Sequence, residues 1–286
     1  MLSDRHRREA AETLYAAERR RAPVRPLTER YEGIDARDAY EIQLLGIRRR
    51  RAEGAVVTGH KVGLSSPVMQ AMMGVDEPDY GHLLDGMELR EDTPVPVAAY
   101  CAPRIEVEIG FVLGADLPGE GCTEADVLAA TERVVPALEL IDSRIADWRI
   151  SLADTIADNA SSAGYVVGEG RDPRELDLKA VEVSLHEHGR APGATAPGAT
   201  APDGPGAPGD PGDRGRILAT GRGDAVLGDP ATAVAWLART IARFGVPLRK
   251  GHLVLPGSCT RAVDVAAGRT YTADFTGLGP VSLTFS

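Results

Sequence analysis

The sequence predicts an α+β protein with helices first and strands after, on three observations. Residues 4–21 and 35–53 are rich in Ala, Glu and Arg, and the second stretch carries an apolar stripe at helical spacing. Residues 105–111 alternate strictly, with Ile105, Val107, Ile109 and Phe111 on one side and Glu106 and Glu108 on the other. From residue 97 onward short strand-like runs dominate, interrupted by one clear late helix.

Taken in order, the first helix spans 4–21 and is stopped by Pro23 and Pro26. The second starts near Asp35, carries Ala39, Ile42, Leu45 and Ile47 on one stripe, and ends at Gly54. Residues 56–63 read as a strand. Ser66 and Pro67 then supply an N-cap and a first helical residue for a short helix to Met73. Turn formers crowd 74–96, which are expected as loops walling a site. Thr123 caps a helix expected to reach Val134, ahead of a strand that carries Glu139. Residues 229–244 form the late helix, with Ala233, Trp236, Leu237, Thr240 and Ile241 on its stripe. Strands are expected at 179–187, 214–220, 252–256, 270–275 and 280–286.

More than half of residues 191–212 are Pro or Gly, and none is a large apolar residue. Such a composition does not offset its ordering entropy, so it is expected as a disordered hairpin loop without a catalytic role. Replacing it by a tight turn is expected to leave turnover intact, and loss of turnover in a folded deletion variant would refute that. The division expected is a helical N-terminal region at 1–95 with active-site loops, and a strand-rich catalytic domain at 96–286.

The chain has 286 residues, 43% apolar and 26% charged, with a formal net charge of −10. That is an ordinary globular composition, and its negative charge speaks against nonspecific nucleic-acid binding. The Arg48–Arg51 cluster lies beside Glu41 and Glu53 and reads as a solvated helix face. Cys101, Cys122 and Cys259 are odd in number and far apart, without disulfide or zinc spacing. No apolar run is long enough for a bilayer and the charged start lacks a signal-peptide core, so no membrane partner and a cytoplasmic location are expected. The glycines at 114–119 lack the Lys-Ser/Thr of a phosphate loop.

The chemistry concentrates on carboxylates. Glu106 and Glu108 lie on one strand face roughly 7 Å apart, a spacing that suits either a solvated face or a cation. Glu139 sits in the apolar run 134–141, where an unpartnered carboxylate is costly. It therefore calls for a proton, a hydrogen bond, a base such as Arg104 or Arg144, or a metal. Together the three make a hard oxygen-donor set suited to Mg²⁺ or Mn²⁺. Asn159 and Ser161 precede a strand and either hydrogen-bond a substrate or cap a helix end. Ser258, after Pro256-Gly257, is a candidate carboxylate-binding hydroxyl; no Gly-x-Ser-x-Gly elbow surrounds it.

Six segments, in order, carry a resemblance: Gly59-His60-Lys61-Val62-Gly63-Leu64-Ser65-Ser66-Pro67, Gly74-Val75-Asp76-Glu77-Pro78-Asp79-Tyr80-Gly81, Ile105-Glu106-Val107-Glu108-Ile109, Ala137-Leu138-Glu139-Leu140-Ile141-Asp142-Ser143-Arg144, Asp158-Asn159-Ala160-Ser161-Ser162 and Val254-Leu255-Pro256-Gly257-Ser258. The sequence resembles the 2-keto-4-pentenoate hydratase group of the fumarylacetoacetase-like superfamily. The resemblance implies a mixed β-roll or barrel-like core with a smaller helical N-terminal region. It further implies a homo-oligomer and a divalent ion held by Glu106, Glu108 and Glu139. It implies water addition to a 2-hydroxy-2,4-dienoate from aromatic meta-cleavage, giving a 4-hydroxy-2-oxo acid. Lys61 and Asp79 match the active-site lysine and its acidic partner, expected as an ion pair that orients substrate and moves protons. The rival is the 2-oxo-3-hexenedioate (4-oxalocrotonate) decarboxylase branch, which shares the metal ligands; an acidic residue at 79 favours the hydratase. His60 and His82 flank these motifs and are expected to be structural.

Overall fold

Ser3 and Asp35 cap the first two long helices with their side chains, α1 at Asp4–Arg20 and α3 at Ala36–Ala52, with the single turn α2 at Leu27–Arg30 between them. The computed structural model describes residues 1–66, 70, 71, 75, 77–189 and 215–286. The expected insert at 191–212 and most of the helix expected from Ser66 to Met73 lie outside these residues.

Eleven strands form two sheets among the described residues. The larger runs β2 (Asp79–Leu84), β1 (Val57–Gly63), β8 (Leu253–Leu255), β3 (Arg104–Leu113), β4 (Thr131–Ile141), β5 (Ser162–Val167), with the short β9 (Val263–Asp264) also on β3. The smaller sheet is β11 (Gly279–Thr284), β10 (Thr270–Phe275), β6 (Glu182–His188) and β7 (Arg216–Arg222). β6 and β7 pair antiparallel, the arrangement expected of the two strands that flank the insert.

Two sequence expectations need correction. Residues 79–84 are not loop but a fully buried strand, and β1 and β2 are hydrogen-bonded into the same sheet as strands after residue 96. The region 1–95, expected as mainly helical with one strand at 56–63, therefore carries a second strand. β2 is buried on both faces, so it shows no alternation, and the turn formers around it dominate the local pattern. The helix capped by Thr123, α4 (Glu124–Ala130), stops there rather than at Val134. The Thr131 hydroxyl donates to Val127 O at 2.7 Å, and β-branched Thr131, Val134 and Val135 carry the chain on as β4.

Alternation across β3 and β4 sorts the main sheet into two faces. Ile105, Val107, Ile109, Phe111, Leu138 and Leu140 join the large core shared with the helices and the second sheet. The other face carries a smaller apolar cluster of Leu83, Val135, Ala137, Tyr165, Leu253 and Leu255. On this second face sit Glu106, Glu108 and Glu139, and Lys61 lies opposite Leu255. Helix α5 (Leu152–Ala157) is locked by a Ser151–Asp154 capping box and packs beside β2; α6 (Pro230–Ala242) is the late helix the periodicity predicts.

Candidate metal and proton-transfer site

Pairing of β3 with β4 places Glu106 directly opposite Glu139, with Glu108 two residues further along the same face. One carboxylate oxygen from each lies within 4.8 Å of the others. This is the convergence that sequence spacing alone does not establish. Gly257 N donates to Glu108 Oε2 at 2.8 Å and so orients that carboxylate. Glycine is needed here: φ is +120°, and a β-carbon would stand 1.9 Å from Ser65 Oγ.

Lys61 reaches the cluster from β1, across the three-residue strand β8. Its ammonium lies 3.3 Å from Glu139 Oε2 and donates to Ala160 O at 3.1 Å. The direct Lys61–Asp79 pair expected from sequence is not among the ion pairs of the described residues; Glu139 takes that place. Asp79 instead accepts from Thr155 Oγ1 at 2.6 Å, and its Oδ1 is buried without a hydrogen-bond partner among the described residues. Asp79 still faces Lys61 through space. Gly63 leaves a gap filled by both groups, since a β-carbon there would stand 2.2 Å from Asp79 Oδ1 and 3.0 Å from Lys61 Nζ. Gly63→Ala is expected to cut turnover by about 100-fold by displacing both groups, while circular dichroism shows a folded protein. Wild-type turnover in that variant would show that the gap is not needed.

The electrostatics are those of charges crowded in a dry place. Burial is the main cause that raises the carboxyl pKa of Glu106, Glu108 and Glu139; among the neighbours, each of Glu106 and Glu108 also feels Glu139, and Lys61 opposes the rise for all three. Glu106 is pushed up to about 7. For Lys61 burial opposes the charge, but Glu139, Asp79, Glu106 and Glu108 outweigh it and hold the ammonium protonated. Glu108 Oε1 and both Glu139 oxygens have no hydrogen-bond partner among the described residues. Three buried carboxylates that repel one another, with one nearby ammonium against three negative charges, are what a hard divalent cation resolves, so the donor set fits such an ion.

The remaining candidates divide. Ser161 is buried with its hydroxyl unpartnered among the described residues, next to the carbonyl that receives Lys61. Asn159 is committed elsewhere: its side-chain oxygen accepts from His82 N at 2.8 Å and its amide donates to His82 O at 2.9 Å, pinning β2. Ser258 is committed as well, accepting from Val107 N at 3.1 Å and so tying its loop to β3. Both side chains therefore hold backbone groups in place. Residues 159–161 all have positive φ, 50–55°, without being glycine. Such a left-handed turn costs roughly 1–3 kcal/mol per residue, and it is the turn that presents Ala160 O and Ser161. His60 and His82 face each other across β1 and β2 with rings 4.7 Å apart. Burial lowers His82 to about 4 and holds His60 well below the usual imidazole range, so both are neutral near pH 7.

Sequence reasoning missed Thr155 and the Ala160 carbonyl. Neither has a signal in the sequence: one is a threonine in a short helix, the other a backbone atom.

No protein-family model matches the chain. It is 41% identical over 285 residues to the 2-keto-4-pentenoate hydratase of Paraburkholderia xenovorans (strain LB400), covering 99% of this chain and 96% of that one. The chain belongs to the 2-keto-4-pentenoate hydratase family. Among solved structures, this hydratase-family chain is similar to 4-oxalocrotonate decarboxylase from Pseudomonas putida G7, complexed with magnesium and adipate. The TM-score is 0.87 at 32% identity, covering 100% of this chain and 99% of that one. A fumarylacetoacetate hydrolase family protein from Yersinia pestis CO92 shares the fold alone, with a TM-score of 0.56 at 16% identity over 81% of this chain and 94% of that one. The hydratase-family chain thus has the mixed α+β architecture its sequence implies, and it is an enzyme.

Proposed function

We propose that this chain is a divalent-metal-dependent hydro-lyase that adds water to a 2-hydroxy-2,4-dienoate to give a 4-hydroxy-2-oxo acid. The observation that carries the reading is the convergence of Glu106, Glu108 and Glu139 beside a buried, protonated Lys61. Glu106, Glu108 and Glu139 would hold Mg²⁺ or Mn²⁺. Bound there, the ion supplies a Lewis acid that stabilises negative charge as it develops on the substrate's oxygens.

The chain's own residues then have to move protons. Ketonisation of the dienol takes the enol proton and delivers one to C5. Hydration then joins a water oxygen to C4, removes one proton from that water and adds one at C3. Lys61 is the buried acid within reach of this chemistry, its position fixed by Glu139 and Ala160 O. Asp79, with Oδ1 free of hydrogen bonds and facing the same gap, is the matching base. Ser161 offers its unpartnered hydroxyl to the substrate carboxylate or the incoming water. The family relationship further supports a homo-oligomer. Among the described residues no helix is long and apolar enough to cross a membrane, and a cytoplasmic enzyme of aromatic meta-cleavage fits that.

The reading is tested by giving the protein 2-hydroxypenta-2,4-dienoate and, separately, 2-oxo-3-hexenedioate, each with and without Mg²⁺ or Mn²⁺, and weighing the products by mass spectrometry. Metal-dependent gain of water by the dienoate is the expected result. Loss of CO₂ from the dioate, with the dienoate untouched, would move the chain to the decarboxylase chemistry of its structural neighbour.

The carboxylate cluster also sets a pH dependence. Each glutamate has a folded-state pKa above its ordinary value of 4.5, Glu106 at about 7, so above 4.5 the folded protein holds protons that the unfolded chain releases. Their contribution to stability is therefore lost as pH rises through the folded-state pKa values, for Glu106 near 7. A bound cation needs the ionised carboxylates and removes the penalty. The rise in melting temperature on adding Mg²⁺ is expected to be larger near pH 8 than near pH 5.5, and a pH-independent rise would contradict the assignment.

A further inference from the structure

Threonines in and at the ends of the helices use their hydroxyls in two ways. Thr13 in α1 and Thr131 at the end of α4 turn their hydroxyls back onto the carbonyl four residues earlier, each at 2.7 Å. Thr28, Thr232 and Thr155 instead donate to carboxylates distant in sequence, Asp154, Glu124 and Asp79. Of these three, the bond from Thr155 in α5 to Asp79 Oδ2, 76 residues away at 2.6 Å, is the one with both partners buried, at 1% and 4% exposure.

The helix that carries Thr155 is held on several sides. Ser151 and Asp154 form its capping box, the Asp154 carboxylate also receives Thr28 N and Thr28 Oγ1, and Gln43 Nε2 donates to Ile156 O. A hydroxyl that donates to one carboxylate oxygen leaves the other to do chemistry, and here that other oxygen is buried and unpartnered among the described residues. Lys61 shares its gap over Gly63.

We propose that Thr155 is the positioning residue for Asp79, clamping Oδ2 so that Oδ1 is held in the gap over Gly63 beside the Lys61 ammonium. The inference rests on the reading above in which Asp79 exchanges protons with the substrate. A rigidly anchored donor fixes the carboxylate's rotamer, and a small displacement of a proton-transfer group costs far more in turnover than in binding. Thr155 acts through Asp79 and does not itself meet the substrate.

The test compares Thr155→Val, Thr155→Ser, Asp79→Asn and the Thr155→Val/Asp79→Asn pair in the full-length protein with Mn²⁺. Turnover is followed as consumption of the dienoate and of the dioate, so it is read whether water is gained or CO₂ lost. Thr155→Val, which keeps the shape and removes the donor, is expected to lower kcat by about 10- to 100-fold with KM and Mn²⁺ affinity changed by less than about 3-fold. Thr155→Ser is expected to restore most of kcat, and Thr155→Val is expected to add little loss once Asp79 is already Asn. A wild-type kcat in Thr155→Val, equal losses in the Val and Ser variants, or fully additive losses in the double variant would overturn the proposal. A wild-type protein that decarboxylates the dioate would overturn the hydratase reading while leaving the Thr155 comparison readable. Wild-type turnover in Asp79→Asn would remove Asp79 from the chemistry and this inference with it.

Discussion

Glu139→Gln is expected to abolish metal-dependent turnover and to weaken Mg²⁺ or Mn²⁺ binding by more than about 100-fold, beyond the cost typical of removing a group that only supports a ligand. Glu139 is the member of the trio that comes from β4, it is fully buried, and its only ion-pair partner among the described residues is Lys61. Glutamine keeps the shape and removes the charge. The metal-free variant is not expected to unfold, because the lost charge was itself raised in pKa by burial, and Lys61 still faces Asp79, Glu106 and Glu108. Titration calorimetry with Mn²⁺ beside a melting curve of the metal-free protein separates the two effects. Retained affinity at an unchanged melting temperature would remove Glu139 from the ligand set.

Lys61→Ala is expected to lower kcat by about 10²- to 10⁴-fold, the range that a positioned proton-transfer group supplies. Metal binding should persist and even tighten, because the ammonium 3.3 Å from Glu139 repels an incoming cation. Turnover at saturating metal, not the affinity, is diagnostic. A lysine that merely neutralised the cluster would, once removed, leave turnover intact in the presence of saturating metal. A near-native rate would therefore make Lys61 structural.

Much of this site is legible in the sequence because it is built from side chains on regular strands. The alternation of 105–111 puts Glu106 and Glu108 on one face whatever the rest of the fold, and the apolar run around Glu139 announces a buried carboxylate. Which partner takes that carboxylate is not legible. The pairing register of β3 with β4 decides it, and the structure chooses Lys61 and the other two glutamates over Arg104 or Arg144. Arg144 turns instead to Asp158 at 2.6 Å, and Arg104 to Asp264 at 2.7 Å.

The backbone bonds of the polar candidates were not legible either. Asn159 and Ser258 have the chemistry of ligand-binding groups, but a buried turn and a loop lying along β3 leave backbone groups that need partners, and these side chains supply them. Thr155 had no pattern to reveal it, since a contact over 76 residues is a property of the fold. β2 was hidden by its turn-rich neighbours and by burial on both faces.

The account stands or falls on where the cation sits. Crystals grown with Mn²⁺ and measured at its absorption edge give that position directly by anomalous scattering. A single strong peak bounded by carboxylate oxygens of Glu106, Glu108 and Glu139, with Lys61 beside it, is the expected result. A peak elsewhere, or none at these residues at saturating Mn²⁺, would contradict the three-glutamate centre and the proton-transfer chemistry built around it.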